Sequence, residues 1–311
     1  MYDVVALGEL LIDFTTQSTD ADGYPTMAAH PGGAPANFLA AVAQFGGKAA
    51  LLGKVGADTF GKLLAGTLRK AGIETRGIVA SDDVFTTLAF VTLDENGDRE
   101  FAFARKPGAD TQLRFEEIDL SILDETRVFH FGTLSLTDEP ARGTAYRAVE
   151  YAKAHGKLVT FDPNLRRPLW KSLDDAKEQM LWGLDHVDVV KISDEEIEFL
   201  FGLGVQDGAQ YILEHFPVRL VFATCGAEGC WFQNRNAGGH VDSLKDIKVV
   251  DTTGAGDIFG GSAVWKLLQT GKAPEELDEV ELREIVSFAC KAAGLSTTKP
   301  GGISSVFALQ D

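Results

Sequence analysis

From residue 128 onward the chain repeats one unit: a short apolar run, a stretch with helical spacing, then another apolar run. Strands are expected over 128–131, 158–161, 187–192 and 218–223, with helices between them at about 140–155, 173–182 and 195–201. Strand–helix alternation of this kind folds into a mainly parallel sheet with helices on both faces. The amino-terminal part starts the same way. Residues 4–12 read as a buried strand, 35–45 as a helix with Pro35 in its first turn, 49–55 as a second strand, and 59–71 as a helix closed by Gly72. No internal repeat or low-complexity segment is evident.

Two segments break the alternation. Residues 85–94 and 99–105 are strand-like runs rich in Thr, Val and Phe, and between them lies Glu95-Asn96-Gly97-Asp98. Asn-Gly suits a type I′ turn, whose central residues both need positive φ, so this reads as a hairpin. Residues 14–27 form a second non-helical stretch, with Gly23 and Pro25, between a strand and a helix. The two insertions, about 14–30 and 85–107, are expected to pair into a small β-sheet lid. Such a lid has exposed edges, which a partner commonly covers, so a homodimer through the lid is expected.

Composition excludes several classes. Hydrophobic residues make up 45% and charged residues 24% of 311, as in a globular protein with a real core. The formal net charge of −17 repels nucleic acid and anionic membranes, so neither is expected as a partner. It does not forbid a local anion site, because backbone N–H groups bind phosphate whatever the overall charge. Glu9 and Asp13 interrupt the first apolar stretch, so no signal peptide is expected. No apolar run reaches the length of a membrane span. Cys225, Cys230 and Cys290 have poor zinc spacing and read as reduced thiols of a cytoplasmic protein.

The sharpest chemical segment is Asp251-Thr252-Thr253-Gly254-Ala255-Gly256-Asp257. It precedes a helix-like stretch over 258–268, with Phe259, Ala263 and Leu267 spaced by four. A Gly-rich turn at a helix N-terminus presents backbone N–H groups on the positive end of the dipole, which stabilises a phosphoryl group. A carboxylate in that turn repels a resting phosphate. As a base accepting a proton from an attacking hydroxyl, Asp257 has a purpose there. On spacing alone, a plain helix start with an acidic first-turn residue accounts for the segment as well. Neither a G-x-x-x-x-G-K-[ST] nor a G-x-G-x-x-G motif is present.

Two distant motifs give the chain a resemblance to the ribokinase-like (PfkB) carbohydrate kinases. Residues 251–257 match that family's D-T-x-G-A-G-D. Gly32-Gly33-Ala34-Pro35-Ala36-Asn37 resembles its amino-terminal Gly-Gly motif, followed by Gly53-x-x-Gly56-x-Asp58-x-x-Gly61. Within the family the chain is most similar to fructokinases. The stretches that carry this are 99–101 leading to 105–107, His130-Phe131-Gly132, Asp162-Pro163-Asn164-Leu165-Arg166 and Lys191-Ile192-Ser193-Asp194. The resemblance implies a ribokinase-like α/β kinase domain over 1–311. It also implies ATP with magnesium, and transfer of phosphate to a free sugar, fructose at O6.

The same resemblance implies roles for individual residues. Asp257 deprotonates the sugar hydroxyl, and the N–H groups of Gly254, Ala255 and Gly256 form an anion hole. Asp13, at the end of the first strand, accepts hydroxyl protons of the sugar. Gly32 and Gly33 let the backbone approach the sugar, and Asn37 bonds a hydroxyl. Thr224, Gly226 and Gly229 match the family's T-x-G-x-x-G and take the nucleotide; a tight β-turn is the plain alternative. Arg166 helps neutralise the triphosphate. Ser193 and Glu196 fall on the N-x-x-E motif, with Ser in place of Asn. Glu196 then holds magnesium through water, while a capping box alone accounts for Ser193. Asp251 and Thr253 suggest a potassium site, and residues 289–302 resemble the adenine-side loop.

Arg105 shares a strand face with Phe101 and Phe103 and could meet substrate oxygens; an exposed strand end is the alternative. In related 2-keto-3-deoxygluconate kinases an Arg in the matching stretch meets a carboxylate, so that sugar acid is the first rival substrate. A nucleoside kinase and a non-catalytic sugar or nucleotide sensor on the same fold are the other rivals.

Overall fold

The computed structural model describes residues 1–93 and 99–309. The chain begins with β1 (Tyr2–Leu7), β2 (Leu11–Thr19), β3 (Pro25–Gly32) and α1 (Ala34–Gln44). Next come β4 (Ala49–Gly56), α2 (Thr59–Lys70), β5 (Ile73–Glu74), β6 (Ile78–Ser81), β7 (Leu88–Leu93) and β8 (Arg99–Ala104). The regular alternation follows: α3 (Leu120–Asp124), β9 (Thr126–Gly132), α4 (Ala141–Ala154), β10 (Leu158–Asp162), α5 (Leu173–Leu184), β11 (Val189–Ser193), α6 (Asp194–Phe201), α7 (Val205–His215) and β12 (Leu220–Thr224). The chain closes with β13 (Cys230–Asn234), β14 (Gly238–Val241), α8 (Ala255–Thr270) and α9 (Glu279–Ser296).

Ten strands form the large sheet, in the order β14-β13-β12-β11-β10-β9-β1-β4-β5, with β6 also on β4. It is parallel from β12 to β5, and β13 and β14 add an antiparallel edge. Its central strands are buried on both faces, which is why they read as unbroken apolar runs. In β1, Val5 and Leu7 pack into one core with α4, while Val4 and Ala6 pack into another with α1.

The expected single strand over 4–12 is two strands in two sheets. β1 ends where its ladder with β4 and β9 ends, at Leu7, and Ile12 of β2 donates to the Thr87 carbonyl just before β7. Gly8 marks the break, because a Cβ there would press on the Pro35 ring. Hydropathy cannot signal this break, since Leu10, Leu11 and Ile12 are buried on the far side of it.

The two insertions form one small sheet, in the order β3-β2-β7-β8. The Asn-Gly turn expected between β7 and β8 lies outside the described residues. Both ends of the β7–β8 excursion are tied to the body. Thr86 donates to Asp58, which also caps α2 through Gly61, and Thr87 bonds Asp110. Three helices lie outside the expected ranges: the short α3, α7 and α9. Residues 289–296, read as a loop, are the last two turns of α9, with Leu282, Ile285, Val286 and Ala289 buried on one face.

Helix α8 is held firmly. Phe259, Ala263 and Leu267, the spacing-of-four set, are all buried in one core with α9. Burying the two large side chains contributes about 1.5–3 kcal/mol each. Its other face lies against α1, and Gly261 sits directly on the Phe38 carbonyl.

That contact separates two helical glycines. Gly261→Ala pushes a methyl into the α1 backbone and should lower stability by about 1–3 kcal/mol. Gly66→Ala in α2 meets open space and should raise it by about 0.5–1 kcal/mol. Thermal unfolding of the two variants checks both signs.

Candidate active site

The site is built around the start of α8. Gly254 is the N-cap, in the left-handed region at φ 75°, and no side chain caps the helix. Only a residue tolerant of that φ takes the position without strain. An uncapped N-terminus leaves backbone donors to be met by water or a ligand. Of the three expected anion-hole residues, Ala255 has a competing partner, since its N–H donates to the Thr252 carbonyl at 3.2 Å.

Asp257 lies in the first turn and is only 8% exposed. Asn37 of α1 donates to its Oδ2 at 2.8 Å. Burial raises the Asp257 carboxyl above its ordinary pKa, while Asn37, Lys191 and Arg166 pull the other way. A raised pKa makes a better base. The amide oxygen of Asn37, Oδ1, is buried without a hydrogen-bond partner among the described residues.

Two cavities flank this turn, and Thr252 lines both. The first, about 300 Å³, opens between the turn and the small sheet. Asp13, Gly33, Asn37, Arg166 and Asp257 line it, with Val91 and Phe103 from β7 and β8. The second, about 570 Å³, lies on the opposite side of the turn, lined by Thr224, Gly226, Gly229, Gly256 and Phe259.

Asp13 is not the end of the first strand but the third residue of β2, opposite His30 of β3. Its carboxylate occupies the space where a Cβ of Gly32 would sit. Gly32 is therefore required by Asp13 itself, before any ligand arrives. Burial raises the Asp13 pKa to about 6, with Arg166 countering and Asp257 and Asp251 reinforcing. Asp251 accepts from the N–H and hydroxyl of Thr253 and from the N–H of Gly301, so it braces the turn against the carboxyl-terminal loop.

Several expected residues stand elsewhere. Arg105 does not line the cavity. It is buried past the end of β8, pairs with Asp110 at 2.7 Å, and donates to Thr137 at 2.7 Å and to the Leu134 carbonyl at 2.8 Å. A guanidinium so fully engaged holds the chain after β8 to the segment after β9. Ser193 lines neither cavity, and the capping box accounts for it. Its hydroxyl accepts from the Glu196 N–H, and Glu196 accepts from the Ser193 N–H. The second Glu196 oxygen accepts from the Leu165 N–H at 2.7 Å. Arg166 lines the first cavity, not the second. His130 stacks on Phe38 at 3.8 Å and bonds Thr160; burial drives its pKa down to about 3, so it is neutral there.

Other lining residues were missed. Glu9, His30 and Asn164 line the first cavity, and Leu244, Val249 and Cys290 the second. Asn164 has a positive φ of 45°, a conformation Asn tolerates. Val249 belongs to the short apolar run 247–250 before the turn, which forms no strand and leaves Val249 55% exposed beside the cavity. An apolar run without strand context was the available signal. Among the described residues no cluster of His, Cys, Asp or Glu forms a metal cage, and no helix is long and apolar enough to cross a membrane.

The chain is similar to known carbohydrate kinases. The family model described as pfkB family carbohydrate kinase matches residues 1–308. A curated relative, the probable fructokinase-4 of Arabidopsis thaliana, is 41% identical over 97% of this chain and 93% of its own. The crystal structure of a fructokinase from Xylella fastidiosa with bound ATP has a TM-score of 0.90 at 30% identity, covering 99% of this chain and 98% of that one. A fructokinase from Vibrio cholerae with fructose, ADP and calcium bound has a TM-score of 0.84 at 30% identity, covering 98% and 96%.

Asp13 carries a testable consequence. Its folded pKa of about 6 exceeds the ordinary value of about 3.9. Between those values the folded state binds the proton more tightly, so ionisation costs stability as pH rises and the full cost stands above pH 6. Asp13→Asn should therefore melt higher than the parent at pH 8. The gap should close at pH 4, where both are neutral. Equal melting at pH 8 would show that the charge is not strained.

Proposed function

Because the chain belongs to the pfkB family of carbohydrate kinases, we propose that it phosphorylates D-fructose at O6 with ATP. The observation that carries the reading is the wedge: the 252–257 turn separates a polar cavity from a larger one lined partly by apolar side chains, with a buried carboxylate on the polar side. The sugar takes the first cavity and ATP the second. Asp257 accepts the O6 proton as O6 bonds to the γ-phosphorus and the bond to ADP breaks. The N–H groups at the start of α8 meet the charge on the transferring phosphoryl. Asp13 and Asn37 hold sugar hydroxyls, and Thr224, Gly226 and Gly229 hold the nucleotide.

Electrostatics favours a neutral sugar. Glu9, Asp13, Asp251 and Asp257 all line the first cavity, against the exposed cation Arg166. A keto-acid would bring its carboxylate among four acidic groups, and like charges that close are unfavourable. Arg105, which would have to receive it, is already paired with Asp110.

Oxygen donors suit magnesium, and the buried carboxylates of Asp162, Glu196 and Asp257 crowd acidic charge about Lys191. We assign Glu196 to hold magnesium through water. Such an ion would supply positive charge to offset that of the phosphates. Asp251 and Thr253 are assigned to potassium. Exposed Tyr24 and Phe85, at 69% and 78%, flank the small sheet, and a homodimer through that sheet would cover them. Three unpaired cysteines suit the cytoplasm.

Coupled ADP release with a sugar panel tests the substrate. Fructose should turn over and 2-keto-3-deoxygluconate should not; the reverse sinks the fructose assignment. Asp257→Ala should lose at least the roughly 10²–10⁴-fold that general base catalysis supplies. Near-normal turnover in that variant removes Asp257 from the mechanism.

A further inference from the structure

Lys191 is a charged residue in the middle of β11, whose neighbours Val189, Val190 and Ile192 are buried. It is the third strand residue, at the carboxyl end of the sheet where Asp162 also ends β10. Its Nζ lies 3.0 Å from Asp162 Oδ2 and 3.2 Å from Oδ1. The side chain is 12% exposed and that of Asp162 is 6% exposed. Lys191 faces neither large cavity. It lines a hole of about 10 Å³ behind the catalytic turn, beside Gly260 and Phe38. The ammonium presses so near the turn that a methyl on Gly256 would stand 3.1 Å from it.

Stability does not account for this placement. A cation at a helix N-terminus opposes the helix dipole. A buried ion pair often contributes nothing over well-packed apolar residues of similar volume, and every neighbour in β11 shows that the strand takes such residues. What the position does offer is positive charge directly behind donors aimed at a polyanion.

We propose that Lys191 is a positioning residue for phosphoryl transfer, an internal cation held by Asp162 behind the 254–257 turn that reinforces the turn's attraction for the transferring group. It rests on the reading of that turn as the anion hole. Lys191 does not touch substrate; it acts through Gly256 and Asp257. Its charge is secure. Burial works against the ammonium, but Asp162, Glu196 and Asp257 outweigh it and raise its pKa. The same charge favours the ionised form of Asp257. The groups facing Asp257 are Asn37 from α1, Lys191 from β11, Arg166 and Asp162 from β10 and the segment after it, and Asp13 from β2. Among these, Lys191 and Arg166 are the cations, and Arg166 is exposed.

The test is Lys191→Met with fructose and ATP, measured from pH 5 to 9 beside the parent protein. We expect kcat to fall at least roughly tenfold, short of or near the 10²–10³-fold loss of an oxyanion donor. KM for fructose should stay within about threefold, because Lys191 does not line the sugar cavity. The acid limb of kcat/KM should move to higher pH, a change that a packing defect does not produce. Should that variant misfold, Lys191→Gln, whose amide can still donate to Asp162, removes the charge alone and is read by the same limb. A kcat within threefold of the parent, or an unmoved acid limb, overturns the proposal. A parent protein that does not phosphorylate fructose fails the earlier reading instead, so the two failures are distinguishable.

Discussion

Everything in this molecule converges on the uncapped start of α8. A helix that begins without a side-chain cap leaves backbone donors open, and burying such an end without partners is costly. Here that end is wedged between two cavities, open to a partner from outside. The hydrogen bond from Asn37 to Asp257 then sets where the acid of the turn points. It joins the two sequence motifs, 220 residues apart in the chain, at one spot. Without it the two cavities would be neighbours and nothing more.

The rest of the fold keeps that spot in place. Two buried layers on the central sheet fix the strands, and α8 is locked by its own buried face and by Gly261 on α1. The small sheet rides over the first cavity, yet its entry and exit are tied down by Asp58 with Thr86 and by Arg105 with Asp110. This arrangement combines a rigid site with a cover whose attachment points are defined. Acidic side chains line the first cavity, and the buried cation Lys191 stands behind the turn, a charge arrangement that matches the proposed placing of sugar and phosphate.

Much of this was legible in the sequence because it is local. Apolar runs and helical spacing located the central strands and most helices, and Phe259, Ala263 and Leu267 foretold the buried face of α8. The capping box at Ser193 and Glu196 was readable for the same reason. What stayed hidden depends on contacts between distant residues. The break at Gly8 is invisible because both flanking strands are apolar. Arg105 has the sequence context of a cleft residue, and only the fold brings Asp110 and Thr137 around it. Glu9, His30 and Asn164 carry no periodic signal; topology alone delivers them to the cavity. The final turns of α9 resemble a loop of the family, yet their buried residues keep helical spacing.

The most direct measurement is a crystal structure with fructose and a non-hydrolysable ATP analogue bound together. The account predicts a fructose hydroxyl oxygen about 2.6–3.2 Å from an Asp257 carboxylate oxygen, the hydrogen-bond reach a general base requires. The terminal phosphate should lie against the N–H groups at the start of α8. Fructose seated with that hydroxyl away from Asp257, or a triphosphate that does not reach the turn, would contradict it.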